Sequence, residues 1–337
     1  MRGVRDSGLS AAERHVRTAW RRRPGAVLRA LGAAYGLGAG LRNLLYDAGT
    51  LRAVRAPVRV MSVGGLTVGG SGKTPIAAHI ARWLEAAGHR PAIVTRGYAD
   101  ELELHRILAP GSLVLGHPDR IRAIGAAAVR GATVAVLDDG FQHRSVFREL
   151  DLLLVDADAL CRTNRRLLPA GPFRDPFARV ADATIIVVTR RSSSGPYARR
   201  LAAGLRRRTG GRAVARCALQ PAELRPANRA AVRSDLVPST AVAGVMKPGL
   251  FFRSVQVRWP EVNRFFTFRD HHGPDDARLA SIVQSAGEAG LLGTLKDVVR
   301  CLPRVGERVP VWYVEDRVLW EAGEEEVRRS VLEAAGR

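Results

Sequence analysis

Lysine is nearly missing from this chain of 337 residues: Lys73, Lys247 and Lys296 are its whole complement, although lysine and arginine together number 53. The formal net charge of +21 is therefore carried almost entirely by arginine. Two readings of that charge stand, an arginine-for-lysine composition and an affinity for acidic partners such as nucleotide, nucleic acid or anionic lipid. Cysteine is scarce as well. Cys161, Cys217 and Cys301 lie far apart with no C-x-x-C pair, which argues against a disulfide framework or a zinc site and suits a reducing cytosol. Among eight histidines only His271 and His272 are adjacent, and no H-E-x-x-H occurs. Aromatic residues make up 6%, with no interleaved aromatic and basic stripe, helix-turn-helix pattern or zinc finger, so charge alone speaks for a nucleic-acid binder. With 46% hydrophobic and 25% charged residues the composition is globular and excludes wholesale disorder.

Long apolar runs are also absent from the N-terminal region, where the longest uncharged stretch, Ala30 to Leu41, has 12 residues and is too short to span a bilayer. The first 24 residues carry seven arginines against Asp6 and Glu13, without the apolar core or cleavage site of a signal peptide. Leu28, Leu31, Tyr35, Leu41 and Leu45 keep helical spacing, flanked by Arg29 and Arg42. This pattern predicts a helix lying in the plane of an anionic membrane surface; a helix docked on its own domain is the alternative. Gly32, Gly36, Gly38 and Gly40 weaken it in isolation, so it needs some surface to lie on.

Beyond Val54 the chain alternates in α/β fashion. Val58–Val63, Ala92–Thr95, Ser112–Leu115, Thr133–Leu137, Leu152–Val155 and Thr184–Val188 read as short apolar strands separated by helix-like segments. Strands without polar alternation predict a parallel sheet buried on both faces by helices. A smaller α/β unit is expected towards the C-terminus, with strands at Thr240–Val245, Phe265–Phe268, Gly290–Leu295 and Val309–Tyr313 and helices at Asp275–Ala289 and Glu324–Ala335. The weakly periodic stretch 212–234 reads as a linker. The expected division is a basic N-terminal segment at 1–54, a P-loop domain at 55–225 and a smaller domain at 226–337.

The strongest local signal is Thr67-Val68-Gly69-Gly70-Ser71-Gly72-Lys73-Thr74, after one strand and directly before a helix. Glycines there let backbone N–H groups curl around phosphate oxygens at a helix N-terminus. Lys73 can reach the β- and γ-phosphates of a nucleotide, and the Thr74 hydroxyl can hold Mg²⁺. Thr67 stands where the usual loop has its first glycine, and Val68 stands where partitioning-type ATPases have a signature lysine. A second acidic element is expected at a neighbouring strand end, and the paired Asp138 and Asp139 supply it.

Read together, Ser62 to Pro75, Thr95-Arg96-Gly97-Tyr98, Pro118-Asp119-Arg120, Asp138 to His143 (DDGFQH), Leu168 to Pro176 (LPAGPFRDP), Asp270-His271-His272 and Thr294 to Asp297 resemble, in order, the motifs of the tetraacyldisaccharide 4′-kinases of lipid A synthesis. The resemblance covers about Ala26 to Arg300. It implies a P-loop kinase that uses ATP and Mg²⁺ to phosphorylate the 4′-hydroxyl of an acylated glucosamine disaccharide 1-phosphate. It also implies an N-terminal membrane-associating helix on the cytoplasmic face of the bacterial inner membrane. No obligate protein partner and no nucleic acid are implied. By the same resemblance Asp100 is the candidate base, His271 tunes or orients it, and Glu101, Arg120, Gln142, His143 and Arg174 are second-tier contacts to substrate or nucleotide. Departures are Gly65 in place of the family's usual Asn, a much shortened loop after Tyr98, and Leu102 in place of Pro. A membrane-associated switch ATPase that transfers phosphate to water is the rival reading.

Overall fold

The computed structural model describes Trp20 and residues 24–161, 163–245, 248–268 and 273–336. They form two compact units, one of His15–Leu219 with Val318–Arg337 and the other centred on Gln220–Arg317.

In the larger unit strand β1 (Arg59–Gly65) is central. It pairs in parallel with β4 (Val134–Asp138) on one side and β5 (Leu150–Asp156) on the other. The strands β2 (Pro91–Thr95) and β3 (Leu113–Gly116) extend the sheet beyond β4, and β6 (Ile185–Arg190) and β7 (Val214–Pro226) extend it beyond β5. Neighbouring residues alternate between two apolar layers. Met61, Val63, Leu152, Leu154 and Val187 face one side, whereas Leu153, Val155, Ile186 and Val188 face the other. Both sides are buried, which is why the strands read as unbroken apolar runs.

Helix α1 (Ala26–Asp47) precedes the sheet, and α2 (Lys73–Ala86) carries the chain from β1 across to β2. Helices α3 (Ala99–Leu108) and α4 (Arg120–Val129) flank β3, a short α5 (Ala157–Leu160) follows β5, and α6 (Gly195–Arg208) follows β6. On α2, Ile76, Ile80 and Leu84 are fully buried against the sheet.

Of the 22 residues of α1 only Gly32 and Asn43 are buried, while Val27, Leu31, Leu37, Leu41 and Leu44 are each more than half exposed. The glycines explain how it is seated. A Cβ on Gly32 would come within 3.0 Å of the Ala170 Cβ, and one on Gly36 within 2.8 Å of Leu167 Cδ1. Gly32 and Gly36 therefore let the helix lie close to the Leu167–Ala170 segment, whereas Gly38 and Gly40 have open space around them. Among the described residues no helix is long and apolar enough to cross a membrane.

The second unit has its own parallel strands, β8 (Thr240–Ala243), β9 (Arg264–Thr267), β10 (Leu291–Thr294) and the first part of β11 (Val311–Ala322), in the order β11-β10-β8-β9. After a short α7 (Arg229–Val232), helices α8 (Pro248–Arg258), α9 (Asp276–Ala286) and α10 (Leu295–Val305) supply its apolar layers.

Two features depart from the sequence expectation. The stretch read as a linker is mostly β7, a 13-residue strand whose Gln220, Pro221 and Pro226 blur any strand pattern. Pairing with β6, beginning at Ile186 with Val214, makes it a strand. The final helix α11 (Glu324–Ala335), expected in the smaller domain, belongs to the larger unit, where Val327, Val331 and Ala335 join the layer of Met61 and Ile76. An apolar stripe demands a partner without naming it.

On α2 the His79 ring lies 4.6 Å from the Trp83 ring, and its Nε2 accepts a hydrogen bond of 3.2 Å from Trp320 Nε1. Burial, aided by the Arg82 charge, pulls its pKa from 6.5 down to about 4. Between those values the unfolded chain takes up a proton that the folded one refuses, so stability falls as pH drops from about 6.5 to about 4. Thermal melting across that range should show a shallower decline in His79→Gln than in the parent; equal slopes would show that other groups govern acid sensitivity.

Candidate active site

The phosphate loop leaves β1 at Gly65 and enters α2 at Lys73. Its backbone needs glycine: Gly69, Gly70 and Gly72 have φ of 69°, 56° and 84°, the left-handed region that L side chains avoid. Gly72 is also the N-cap of α2 and gives the helix no side-chain cap, so the first-turn amides remain available to an anion. Below the loop, Thr189 Oγ1 donates to the Ser71 carbonyl at 3.0 Å. Above it, the LPAGPF segment crosses over. Thr67 bridges to Phe173, Val68 N donates to the Pro172 carbonyl at 2.9 Å, and Arg174 N donates to the Leu66 carbonyl at 2.7 Å.

The β1–β4 register sets Val63 beside Asp138, so the β4 carboxylate emerges beside the loop. Thr74 Oγ1 donates to Asp138 Oδ2 at 2.9 Å. The same oxygen meets His105 Nε2 at 2.8 Å, where His105, on α3, is wholly buried. Burial works to raise the Asp138 pKa, but the hydrogen bond and charge of His105, with Lys73 and Thr74, prevail and hold the carboxyl below its usual range.

Asp139 adopts a left-handed φ of 59°, unusual for a residue with a side chain. The following Gly140 permits this turn to close, since a Cβ there would lie 2.6 Å from the Leu137 Cβ. The turn aims Asp139 at two cations: Oδ2 accepts from Arg174 Nη1 at 2.7 Å, and Oδ1 lies 3.6 Å from Lys73 Nζ. Lys73 also donates to Ser71 Oγ at 3.3 Å.

Among the described residues no cluster of three or more acidic, His or Cys side chains could enclose a metal. Mg²⁺ needs no such cage, because it keeps several waters and takes few protein oxygens. Two buried carboxylate oxygens, Asp138 Oδ1 and Asp139 Oδ1, have no hydrogen-bond partner; the first belongs to the carboxylate that Thr74 contacts, and the second lies 3.6 Å from Lys73 Nζ. Hard oxygen donors left in this way fit Mg²⁺.

The remaining sequence candidates occupy different places. Arg120 is buried, and its Nη1 donates to the carbonyls of Thr95 and His117 at 2.6 Å each, which braces the Arg96–Tyr98 turn. Its pKa is lowered by burial, against the opposing charges of Glu101, Asp139 and Asp138. Those charges place Glu101 in the electrostatic surroundings of the carboxylate pair. Asp100 and Glu101 open the first turn of α3, where the helix dipole favours carboxylates. Gln142 Nε2 donates to the Gly65 carbonyl at 3.0 Å. Burial, then the Arg120 charge, lowers the His143 pKa to about 4, so its ring is neutral at pH 7. His271 lies outside the described residues.

Comparison with known proteins places the chain in a family. The family model described as tetraacyldisaccharide-1-P 4′-kinase matches residues 25–116 and 104–335. A tetraacyldisaccharide 4′-kinase of Anaeromyxobacter dehalogenans (strain 2CP-1) is 35% identical over 324 residues, covering 84% of this chain and 85% of its own. One from Syntrophus aciditrophicus is 32% identical, with 83% and 85% covered. The chain belongs to the tetraacyldisaccharide-1-phosphate 4′-kinase family. Among solved structures, the "apo" form of LpxK from Aquifex aeolicus in complex with ATP aligns over 90% of this chain and 97% of its own, with a TM-score of 0.67 and 26% identity. This member of the 4′-kinase family is thus a phosphotransferase with a P-loop fold.

His105 is a residue that sequence reading overlooked. Its only signal is its place four residues after Glu101, on one face of a helix. His105→Leu removes a hydrogen-bond partner from Asp138. It should raise the Mg²⁺ concentration needed for half-maximal turnover by about 10-fold or more, the usual worth of a group that orients a metal ligand. His105→Gln, which can still donate, should stay near the parent. Titration of turnover with Mg²⁺ checks this, and superimposable curves for all three proteins would refute it.

Proposed function

We propose that this chain transfers the γ-phosphoryl group of ATP to the 4′-hydroxyl of a tetraacyldisaccharide 1-phosphate at a membrane surface, using the residues gathered around its phosphate loop. The observation that carries the reading is the Thr74–Asp138 contact beneath a left-handed glycine loop, in a chain of the 4′-kinase family. Lys73 and the loop amides would hold the phosphate oxygens. Thr74, Asp138 and Asp139 would hold Mg²⁺, which would supply charge neutralisation to the phosphoryl group being transferred. The 4′ oxygen bonds to the γ-phosphorus while the bond from that phosphorus to the β–γ bridging oxygen breaks. ADP leaves with the electron pair, and the hydroxyl proton passes to a base. Asp100 is the proposed base on its motif position, and His271 takes its assisting role from the D-H-H motif alone.

If Asp100 is that base, Asp100→Asn lowers kcat by roughly 10² to 10⁴ with little change in the KM for ATP. His271→Ala is nearly as damaging, and the double variant loses little more than the worse single, because a base and its orienter act as one unit. A parental kcat in Asp100→Asn, measured with the lipid acceptor, would pass the role to another group. Transfer to water in place of the lipid would mark the switch ATPase; family membership speaks against it.

The exposed row on α1 supports attachment to the cytoplasmic face of the inner membrane. Val27, Leu31, Leu37, Leu41 and Leu44 face outward with Arg29 and Arg42 on the same helix, suiting an anionic lipid surface. In flotation with vesicles containing anionic lipid, replacing Leu37, Leu41 and Leu44 by Ser should move the protein to the soluble fraction. Moderate salt should release the parent only in part, because apolar burial is not screened as charge is. Complete release by salt would refute a role for the leucine row.

A further inference from the structure

Helix α1 has one buried polar side chain, and that side chain leads to the phosphate site. Asn43, 5% exposed, donates from Nδ2 to Asp175 Oδ1 at 3.1 Å; Asp175 is itself 3% exposed. The other Asp175 oxygen accepts from Gln142 Nε2 at 2.9 Å. Gln142 Oε1 faces Arg174 Nη1 at 3.5 Å, and that same nitrogen donates to Asp139 Oδ2 at 2.7 Å. The series ends at Lys73, 3.6 Å beyond Asp139.

The direction of this series is fixed by chemistry. Carboxylates only accept, so Asn43 must present its NH₂ to Asp175. Gln142 faces two acceptors, Asp175 and the Gly65 carbonyl, with its Nε2, which leaves its oxygen for the donor Arg174. Neither amide can flip without setting like against like. A buried amide and carboxylate are costly unless their partners are in place, and an apolar residue at position 43 would bury more cheaply. Simple attachment of α1 is provided at its rim, where Asp47 pairs with Arg144 at 2.7 Å and with Arg179 at 3.1 Å.

We infer that Asn43 and Asp175 are positioning residues for phosphoryl transfer: through Gln142 and Arg174 they fix the left-handed Asp139, so α1 belongs to the reacting site as well as to the surface it presents. This rests on the reading of Asp139 as a ligand-holding carboxylate at the phosphate loop.

The test uses the full chain with detergent-dispersed acceptor, so that vesicle attachment plays no part. Asn43→Leu should lower kcat by about 10- to 100-fold, the effect of a small misplacement transmitted from outside the chemistry, with both KM values within about threefold of the parent. In the nucleotide-free protein, hydrogen exchange of the Asp138–His143 amides should quicken. Flotation with vesicles should be unchanged. Asp175→Asn preserves volume and sets an NH₂ against one of the two amides, so it should reproduce the loss even if Asn43→Leu folds poorly. Exchanging the two residues, N43D with D175N, restores a donor–acceptor pair and should return kcat to within about threefold of the parent. Parental kcat and exchange in both single variants would overturn the inference. So would losses that the exchange of residues fails to recover, since these would mark a merely structural pin. Asp139→Asn serves as the control: if its kcat is parental, the reading of Asp139 fails, whatever the outcome at Asn43.

Discussion

The site depends on the parallel pairing of β1 with β4. That register brings Val63 level with Asp138, and it delivers a phosphate loop and a carboxylate to the same end of the sheet. Slipping it by one residue would turn Asp138 to the opposite face and replace it with an apolar neighbour. The contact with Thr74 and the burial of His105 both depend on this alignment. Because the chain leaves β1 for β2 and reaches β4 only later, the loop also stands at a crevice between diverging connections, where open α/β sheets bind ligands.

Around that alignment the larger unit satisfies conflicting demands with local devices. A left-handed glycine loop exposes amides that a strand or helix would consume. Asp139 accepts a conformation that costs on the order of 1 kcal/mol, and two cations hold it there. The segment around Phe173 secures the loop by main-chain bonds, from Val68 N to the Pro172 carbonyl and from Arg174 N to the Leu66 carbonyl.

Much of this was legible in the sequence because its signals are local. A strand, a glycine loop and a helix in succession are read from neighbouring residues, as is an apolar run that ends in Asp138 and Asp139. Other features depend on residues far apart in the chain. His105 looks like an ordinary polar residue in an acidic helix until β4 is known to abut it. Asn43 and Asp175 are separated by 132 positions, and no spacing rule pairs them. Strand β7 carries prolines and takes its form from pairing, and the stripe on α11 could have suited either unit. Even Gly32 and Gly36 of α1, read as a weakness of the helix, have their meaning only beside Leu167 and Ala170.

Those glycines and the leucines on the outer face of α1 place different limits on how this sequence can drift. The outer row is simply exposed and apolar, so exchanges among Leu, Ile, Val and Phe leave its character intact. The inner row is recognised by shape: even one methyl group on Gly36 would fall 2.8 Å from Leu167 Cδ1. A single helix therefore evolves under two alphabets, a permissive one on its exposed face and a strict one towards its own enzyme.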